Sequence, residues 1–324
     1  MNILITSAGR RSSLVTAFKE AAHRRKGLLY AGDIDSLAPA LFLADQALPL
    51  PAVQSPEYIP RLLALAAEHS IRLIVPTIDT ELPVLARASD GFSRQGCPIL
   101  VSPPELVNIC GDKWQFVKVF DAHGIKVPHS WLPGEADSDT LPDRLFIKPR
   151  NGSASLNAYR VHRNQLEQLL PLVPYPIIQE EITAPEITID ALLDLEGRPV
   201  HYVPRRRLRT IGGESIQGVT ISDAGIKGWI LRVLSLVSSM GGKGPLAIQA
   251  FLTQGEPTLS EINPRFGGGF PLAKAAGGDY PEWIMMMLEG KTVAERIGDY
   301  KPNLYMTRYY TELFLEEPLW QSRG

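Results

Sequence analysis

The residues with the clearest chemical signature lie at 259–269, which read LSEINPRFGGG. On a β-strand, Glu261 and Asn263 are two residues apart and therefore share a face. If a hairpin turns at Gly255, Gln249 lies opposite Glu261 on that same face. Carboxylate and amide oxygens are the ligands that Mg²⁺ takes while leaving positions for phosphate oxygens. The spacing therefore predicts that Gln249, Glu261 and Asn263 hold a metal ion.

Arg265 follows this group and adds a fixed positive charge. Its planar guanidinium suits a phosphate or a developing acyl phosphate, so we predict a catalytic role. The alternative is a polar strand end followed by a glycine loop. That alternative would explain any one of these residues, but turn chemistry alone does not explain the whole set.

Two further segments suit a nucleotide. Lys148 ends a predicted strand, and the small residues that follow it, from Gly152 onward, let backbone amides approach an anion. Residues 179–182 (QEEI) lead from one strand to the next and offer backbone groups to a purine edge, while Glu186 could accept hydrogen bonds from ribose hydroxyls. From the residues alone, a solvated acidic hinge is an equal alternative for this second segment.

Several other sites are excluded or disfavoured. The six histidines never fall at metal-ligand spacing, and the two cysteines, 13 positions apart, suggest neither a disulfide framework nor a thiolate zinc site. A turn at Gly9 with Asp33 after the second strand invites a dinucleotide site. Residues 7–12 supply one glycine where that fingerprint needs three, so a tight structural turn is favoured.

The elements that must position these residues change character along the chain. In the first hundred residues, strands alternate with helices, which predicts a parallel, doubly wound sheet. The predicted strands are 3–5, 28–32, 73–75 and 99–101, and the predicted helices are 12–25, 57–69 and 82–87. Ser102 and Glu105 have the spacing of a capping box, and Asp112 can cap a helix that ends at Gly124.

After residue 127 the pattern is one of short strands and hairpins, which predicts antiparallel sheet. The predicted strands are 145–148, 158–161 and 177–180, with hairpins near Gly197 and over 246–262 and a helix over 223–240. The fold class is therefore α/β in the first half and α+β in the second.

Composition bounds the function. A chain of 324 residues suggests about two domains, and 44% hydrophobic and 21% charged residues are ordinary for a globular protein. A net charge of −2 argues against partnership with nucleic acid or an anionic membrane surface. No apolar run approaches the ~18 residues of a transmembrane helix, and we expect a cytoplasmic protein.

Together these residues resemble the ATP-grasp superfamily, and within it the carboxylate–amine ligases similar to the large subunit of carbamoyl-phosphate synthase. The motifs that carry the resemblance occur in family order: SAGRR at 7–11, DID at 33–35, PTIDTEL at 76–82, DK at 112–113, KP at 148–149, QEE at 179–181, EITID at 186–190 and EINPRFGG at 261–268.

The resemblance implies an N-terminal Rossmann-like pre-ATP-grasp domain over 1–111 and an ATP-grasp domain over 112–324, with a lid at about 112–182 and a catalytic part at about 183–324. It implies ATP and Mg²⁺ as cofactors, with Mn²⁺ as the alternative ion. The implied contacts are Lys113 and Lys148 to phosphates, the loop with Gly152, Ser153 and Ser155 over them, Glu180, Glu181 and Ile182 at adenine, Glu186 at ribose, and Arg207 at phosphate or substrate.

The implied activity is an ATP-dependent C–N ligase that activates a carboxylate as an acyl phosphate and couples it to an amine. Two alternatives stay open: phosphorylation of a carboxylate or carbamate as the final product, and a nucleotide-binding sensor without turnover. Small-molecule carboxylates and amines are the expected partners, and a homodimer is one possible assembly. Asp79, Glu81 and Arg10 are candidates for the acceptor pocket.

Overall fold

The computed structural model describes residues 1–135, 140–152, 157–211 and 214–321. The chain begins with a parallel four-stranded sheet, in the order β3-β2-β1-β4, as the alternation of strands and helices predicts. Its strands are β1 (Asn2–Ile5), β2 (Leu29–Asp33), β3 (Gln46–Pro49) and β4 (Ile71–Val75), and the helices around it are α1 (Ser12–His23), α2 (Tyr58–Glu68), α3 (Leu82–Arg94) and α4 (Pro104–Gly111).

Two details of this sheet differ from the prediction. The four-residue edge strand β3 was not expected, and the strand expected at 99–101 amounts to a single bridge between Ile74 and Ile99. The capping box at Ser102 was also wrong, because α4 begins at Pro104 without a side-chain cap. Instead, the Ser102 hydroxyl bonds the backbone of Lys243, so a tertiary contact replaces the local one.

The next segment confirms the predicted cap at Asp112. Its carboxylate accepts hydrogen bonds from the amides of Trp114 and Gln115, at 2.9 and 3.2 Å, and starts α5 (Lys113–Ala122). Gly124 follows with φ +70°, the left-handed stop expected after a helix.

A second, antiparallel sheet of four strands follows, in the order β5-β8-β6-β7. Its strands are β5 (Ser130–Trp131), β6 (Arg144–Pro149), β7 (Tyr159–His162) and β8 (Pro176–Glu180), with a short helix α6 (Leu166–Leu169). This sheet, which we call the lid sheet, has a small core of its own around Leu145, Ile147 and Ile178.

The third sheet has six antiparallel strands in the order β13-β12-β9-β10-β11-β14. They are β9 (Glu186–Leu193), β10 (Pro199–Ile211), β11 (Glu214–Thr220), β12 (Gly244–Phe251), β13 (Thr258–Asn263) and β14 (Tyr305–Thr307). The remaining helices are α7 (Lys227–Ser239), α8 (Phe270–Ala275) and α9 (Tyr280–Leu288). The hairpins at Gly197 and Gly255 were predicted, whereas the pairing of β10 with β11 and of β11 with β14 was not.

One hydrophobic cluster joins the first sheet to the six-stranded sheet. Phe18 of α1 is fully buried and meets Phe266 edge-on, with ring centroids 5.6 Å apart. The same cluster contains Ile3 of β1, Leu192 of β9 and Ile284 of α9. Because these two sheets share a core, the loops of the first sheet are held firmly against the ends of β12 and β13. Within the described ranges, no helix is long and apolar enough to cross a membrane.

Candidate functional site

A cavity of about 940 Å³ lies where the three sheets meet. The first sheet contributes the loop after β1 and the loop after β4, the lid sheet contributes β6 and the end of β8, and the six-stranded sheet contributes β9, β10, β12 and β13. Almost all of the site residues predicted from the sequence that the structure describes line this cavity.

The three predicted metal ligands lie together on neighbouring strands. Gln249 stands opposite Glu261 in the register of β12 and β13, as the hairpin at Gly255 predicts. The amide nitrogen of Asn263 donates to Glu261 Oε1 at 2.7 Å, which leaves the second carboxylate oxygen of Glu261 open to the cavity.

This donor set fits a hard divalent cation. One carboxylate and two side-chain amides supply oxygen ligands, and the Gln249 amide has no hydrogen-bond partner among the described residues. No group of three or more His, Cys, Asp or Glu side chains in the described ranges offers a competing centre. No histidine or cysteine is among the described residues that line the cavity, so a softer metal, which prefers imidazole or thiolate, finds no such ligand on its walls.

Arg265 is held by a carboxylate from the first sheet. Its Nε and Nη2 donate to the two carboxylate oxygens of Asp79 at 2.9 and 2.7 Å, and Nη2 also donates to Asn263 Oδ1 at 3.2 Å. This two-bond pairing is the strongest geometry an arginine offers to a carboxylate. The guanidinium therefore connects the loop after β4 with the candidate metal ligands.

Two lysines face the same carboxylate group. The Lys113 ammonium donates to the carbonyl oxygen of Gly152 at 2.9 Å, and Lys148 Nζ lies 5.5 Å from the centroid of the Phe146 ring. Burial lowers the pKa of Lys113, and burial lowers the pKa of Lys148 to about 8, although the charge of Glu261 acts in the opposite direction on both. Two ammonium groups on the wall of one cavity suit the negative charge of a polyphosphate chain.

The segment predicted to meet adenine ends β8. The Glu180 amide donates to the carbonyl of His129 at 2.9 Å and its carboxylate accepts from the His129 amide at 3.0 Å, so its N–H is used inside the lid sheet. Glu181 lies near Arg160, with N and O atoms 3.4 Å apart. Ile182 is half-buried and lines the cavity with both glutamates. An adenine contact at Glu180 therefore falls to atoms other than its amide.

Glu186 and Arg207, predicted at ribose and at phosphate, form an ion pair across β9 and β10. Both line the cavity. Each side chain would thus orient the other toward a ligand. Gly152 also lines the cavity, with φ +109°, whereas Ser153 and Ser155 lie outside the described residues.

A buried ion pair beneath the glycine loop was missed in the sequence. Arg205 Nε donates to Asp190 Oδ2 at 2.6 Å, and both residues are buried. A Cβ atom at Gly269 would lie 2.2 Å from the Arg205 guanidinium carbon, and one at Gly267 would lie 2.7 Å from Asp190 Oδ1. These two glycines thus make room for the ion pair. The signal available in the sequence was the opposite charges at nearby positions on the hairpin at Gly197.

Only two of the three candidates for the acceptor pocket line the cavity. Arg10 and Asp79 line the cavity, whereas Glu81 is fully buried and accepts hydrogen bonds from Tyr58 Oη at 2.7 Å and from the Thr77 amide at 2.7 Å. Burial raises the pKa of Glu81, and its role is to fix the loop after β4. The prediction for Glu81 was wrong because sequence spacing does not reveal which carboxylate turns inward.

The turn at Gly9 is structural, as the sequence favoured. Asp33 Oδ2 accepts from the Gly9 amide at 2.7 Å, and Oδ1 accepts from the Asp35 amide at 3.0 Å. The carboxylate that would hold a ribose in a dinucleotide site is thus used within its own loop.

Two family models match separate parts of the chain. A family model described as PylC-like, N-terminal domain matches residues 3–100, and one described as ATP-grasp in the biosynthetic pathway with Ter operon matches residues 173–309. No curated protein matches the chain.

Solved structures resemble it over nearly its whole length. The biotin carboxylase domain of 2-oxoglutarate carboxylase from Hydrogenobacter thermophilus, in complex with MgADP and bicarbonate, has a TM-score of 0.76 at 14% identity, covering 94% of this chain and 73% of that one. The L-amino acid ligase from Bacillus licheniformis has a TM-score of 0.70 at 19% identity, covering 89% and 74%. N5-carboxyaminoimidazole ribonucleotide synthetase from Thermotoga maritima has a TM-score of 0.65 at 17% identity, covering 91% and 77%. At these identities the likeness concerns the fold.

Proposed function

We propose that this chain is a member of the ATP-grasp superfamily and an ATP- and Mg²⁺-dependent ligase that activates a carboxylate and couples it to an amine. The observation that carries the proposal is the cavity itself. Its lining contains three oxygen ligands, two ammonium groups and a guanidinium. That is the set of charges that transfer of a phosphoryl group requires.

In the first step, a substrate carboxylate oxygen attacks the γ-phosphorus of ATP, and ADP leaves. Lys113 and Lys148 stabilise the charge on the phosphate oxygens, and Arg265 lies beside the transferred group. A magnesium ion on Gln249, Glu261 and Asn263 would supply Lewis-acid stabilisation of that charge. The product is an acyl phosphate, whose phosphate is a good leaving group.

In the second step, the amine attacks the acyl carbon, phosphate departs, and the nitrogen loses a proton. Positioning and electrostatics are enough for this chemistry, so no nucleophilic triad is needed.

The remaining contacts complete the nucleotide site. Glu180, Glu181 and Ile182 would border the adenine, and the Glu186–Arg207 pair would meet the ribose and the phosphates. Gly152, Ser153 and Ser155 would cover the phosphates. We propose a domain boundary at 111/112 and a lid up to about residue 182; the separate core of the lid sheet supports the lid over about residues 141–178.

Assembly and location belong to the same proposal. We expect a homodimer in the cytoplasm; the Hydrogenobacter biotin carboxylase domain is likewise described as a dimer. Sedimentation equilibrium of the whole chain measures the first expectation directly.

The test is release of ADP that depends on both a carboxylate and an amine. Replacing Glu261 by Gln removes the one charged candidate metal ligand, and we expect at least a ~100-fold loss of ADP release at saturating ATP. Glu256→Gln, at the exposed tip of the same hairpin, is the matched control and should keep full activity.

The outcomes separate the alternatives. An acyl or carbamoyl phosphate that persists without an amine would favour phosphorylation as the final reaction. ATP binding with no turnover across a broad panel would favour a sensor, and full activity in Glu261→Gln would overturn the metal assignment.

A further inference from the structure

A recess lined by three arginines adjoins the main cavity at the side of the first sheet. Arg10 and Arg11 come from the loop after β1, and Arg308 follows β14. The described residues that line this recess include no acidic side chain. Four residues line both the recess and the main cavity, so a ligand in one can extend into the other: Arg10, Arg11, Gly267 and Gly268.

Two of the arginines are held in place by backbone carbonyls. Arg11 donates to the carbonyl oxygen of Thr77 at 3.3 Å, and Arg308 donates to the carbonyl oxygen of Gly268. Arg10 is exposed and makes no hydrogen bond or ion pair with any residue that the structure describes. A guanidinium of this kind offers two parallel N–H groups to a carboxylate or a phosphate.

These charges are additional to those that the reaction itself uses. Lys113 and Lys148 lie in the main cavity outside the recess, and Asp79 already neutralises Arg265. Three clustered positive charges raise the local concentration of anions and strongly favour an anionic group over a neutral one.

We propose that this recess, the arginine recess, binds a second anionic group of the substrate whose carboxylate is activated. The inference rests on the proposed function and narrows it to substrates that carry a carboxylate or a phosphate ester besides the reacting carboxylate. The reacting carboxylate would lie near Arg265, and the second anion would lie past Gly267 and Gly268 among Arg10, Arg11 and Arg308.

The experiment compares matched ligands that differ in one anionic group. Aspartate is paired with asparagine, and O-phosphoserine is paired with serine. Binding of each to the protein saturated with the magnesium complex of a non-hydrolysable ATP analogue is measured by titration calorimetry, because the bound triphosphate keeps the ligand out of the phosphate positions. We expect aspartate or O-phosphoserine to bind at least ~10-fold more tightly than its neutral partner, and the stronger of the two identifies the anion.

Arginine variants test the location. Arg10→Gln should weaken binding of the anionic ligand ~10-fold and leave the neutral ligand within about twofold, and Arg10→Lys should retain part of the preference. Arg94→Gln, an exposed arginine in the last turn of α3, is the charge-matched control and should change nothing.

Equal binding of charged and neutral partners, or equal effects of Arg10→Gln and Arg94→Gln, would overturn the inference. Because binding is measured without turnover, the preference can hold even where no ADP is released. Conversely, ADP release only with carboxylates that carry no second anionic group would support the ligase and overturn the assignment of the arginine recess.

Discussion

Lys148 is the site residue whose charge depends most directly on pH. Its pKa, lowered by burial to about 8, means that the ammonium is protonated at neutral pH and loses its proton over the next two pH units. A phosphate contact made by this lysine is thus fully present below pH 7 and is lost as the pH rises through 8.

We therefore predict that ATP affinity falls several-fold between about pH 7.5 and 9.5 in the native protein. In Lys148→Arg the side chain stays charged over that range, and the affinity should stay nearly constant. The measurement is nucleotide titration at fixed ionic strength, with residual pH dependence in the variant ascribed to Lys113. Identical pH profiles in both proteins would show that Lys148 does not contact phosphate.

Among single residues, the sequence predicted the candidate metal ligands better than it predicted which charged side chains pair with each other. Gln249 and Glu261 were placed opposite each other because a hairpin fixes their register. The pairing of Arg265 with Asp79 was not predicted, because these residues are 186 positions apart and meet only through the docking of two sheets. The inward turn of Glu81 was missed because sequence spacing does not show that Tyr58 Oη and the Thr77 amide donate to its carboxylate.

The loop between β13 and α8 shows how an element is fitted to its surroundings. Gly269 lies directly over the Arg205 guanidinium, where a Cβ atom would come within 2.2 Å of its central carbon. In Gly269→Ala, Arg205 must move and lose its contact with Asp190, leaving a buried charge without its partner.

We predict that Gly269→Ala lowers the free energy of unfolding by about 3 kcal/mol, which denaturant titration measures. The control is Gly91→Ala inside α3, where no atom lies within 4 Å of the added methyl group. That change should stabilise the protein by up to about 1 kcal/mol, because alanine favours the helix. Similar values for the two variants would mean that the loop moves freely away from Arg205.

Among the elements, those with local signals were predicted and those without them were not. Strands β1, β2 and β4 and helices α1, α2 and α3 follow from their apolar patterns, and α5 follows from its cap at Asp112. The edge strands β3 and β14 have few buried residues and exist through pairing with a neighbour. The capping box at Ser102 failed because Lys243 competes for the hydroxyl.

For the whole molecule, the decisive feature is the cluster shared by the first sheet and the six-stranded sheet. Phe18 lies in it together with residues of β9, β10 and α9. Arg25, just after α1, forms ion pairs with Glu282 of α9 at 2.8 Å and with Glu289, just after α9, at 2.7 Å, which adds a second link between these two parts of the chain.

We predict that Phe18→Ala lowers the opening free energy of β1 and of β10 by the same amount, about 3 kcal/mol, in hydrogen exchange measured by mass spectrometry. Leu145→Ala, in the separate core of the lid sheet, should affect the lid strands alone. A loss of protection confined to β1 in Phe18→Ala would contradict the shared core.

The sequence indicated a change of pattern after residue 127 and hence two units. It could not indicate that the first unit and the six-stranded sheet share a core. The sequence indicates that apolar residues such as Phe18 and Ile284 are buried. It does not indicate which residues they pack with, because the two lie more than 250 positions apart in the chain.

The shared core also determines how long the apolar face of α1 waits for its partners during synthesis. The apolar face of α1 is complete once residue 23 is made, but its partners in α9 follow only after about residue 285. At the usual ~5–20 residues per second, the ribosome needs roughly 10–50 s to cover that interval. During this time Phe18 and its neighbours lack their packing partners from α9. This face of the nascent chain is therefore accessible to chaperones and to aggregation for the whole interval.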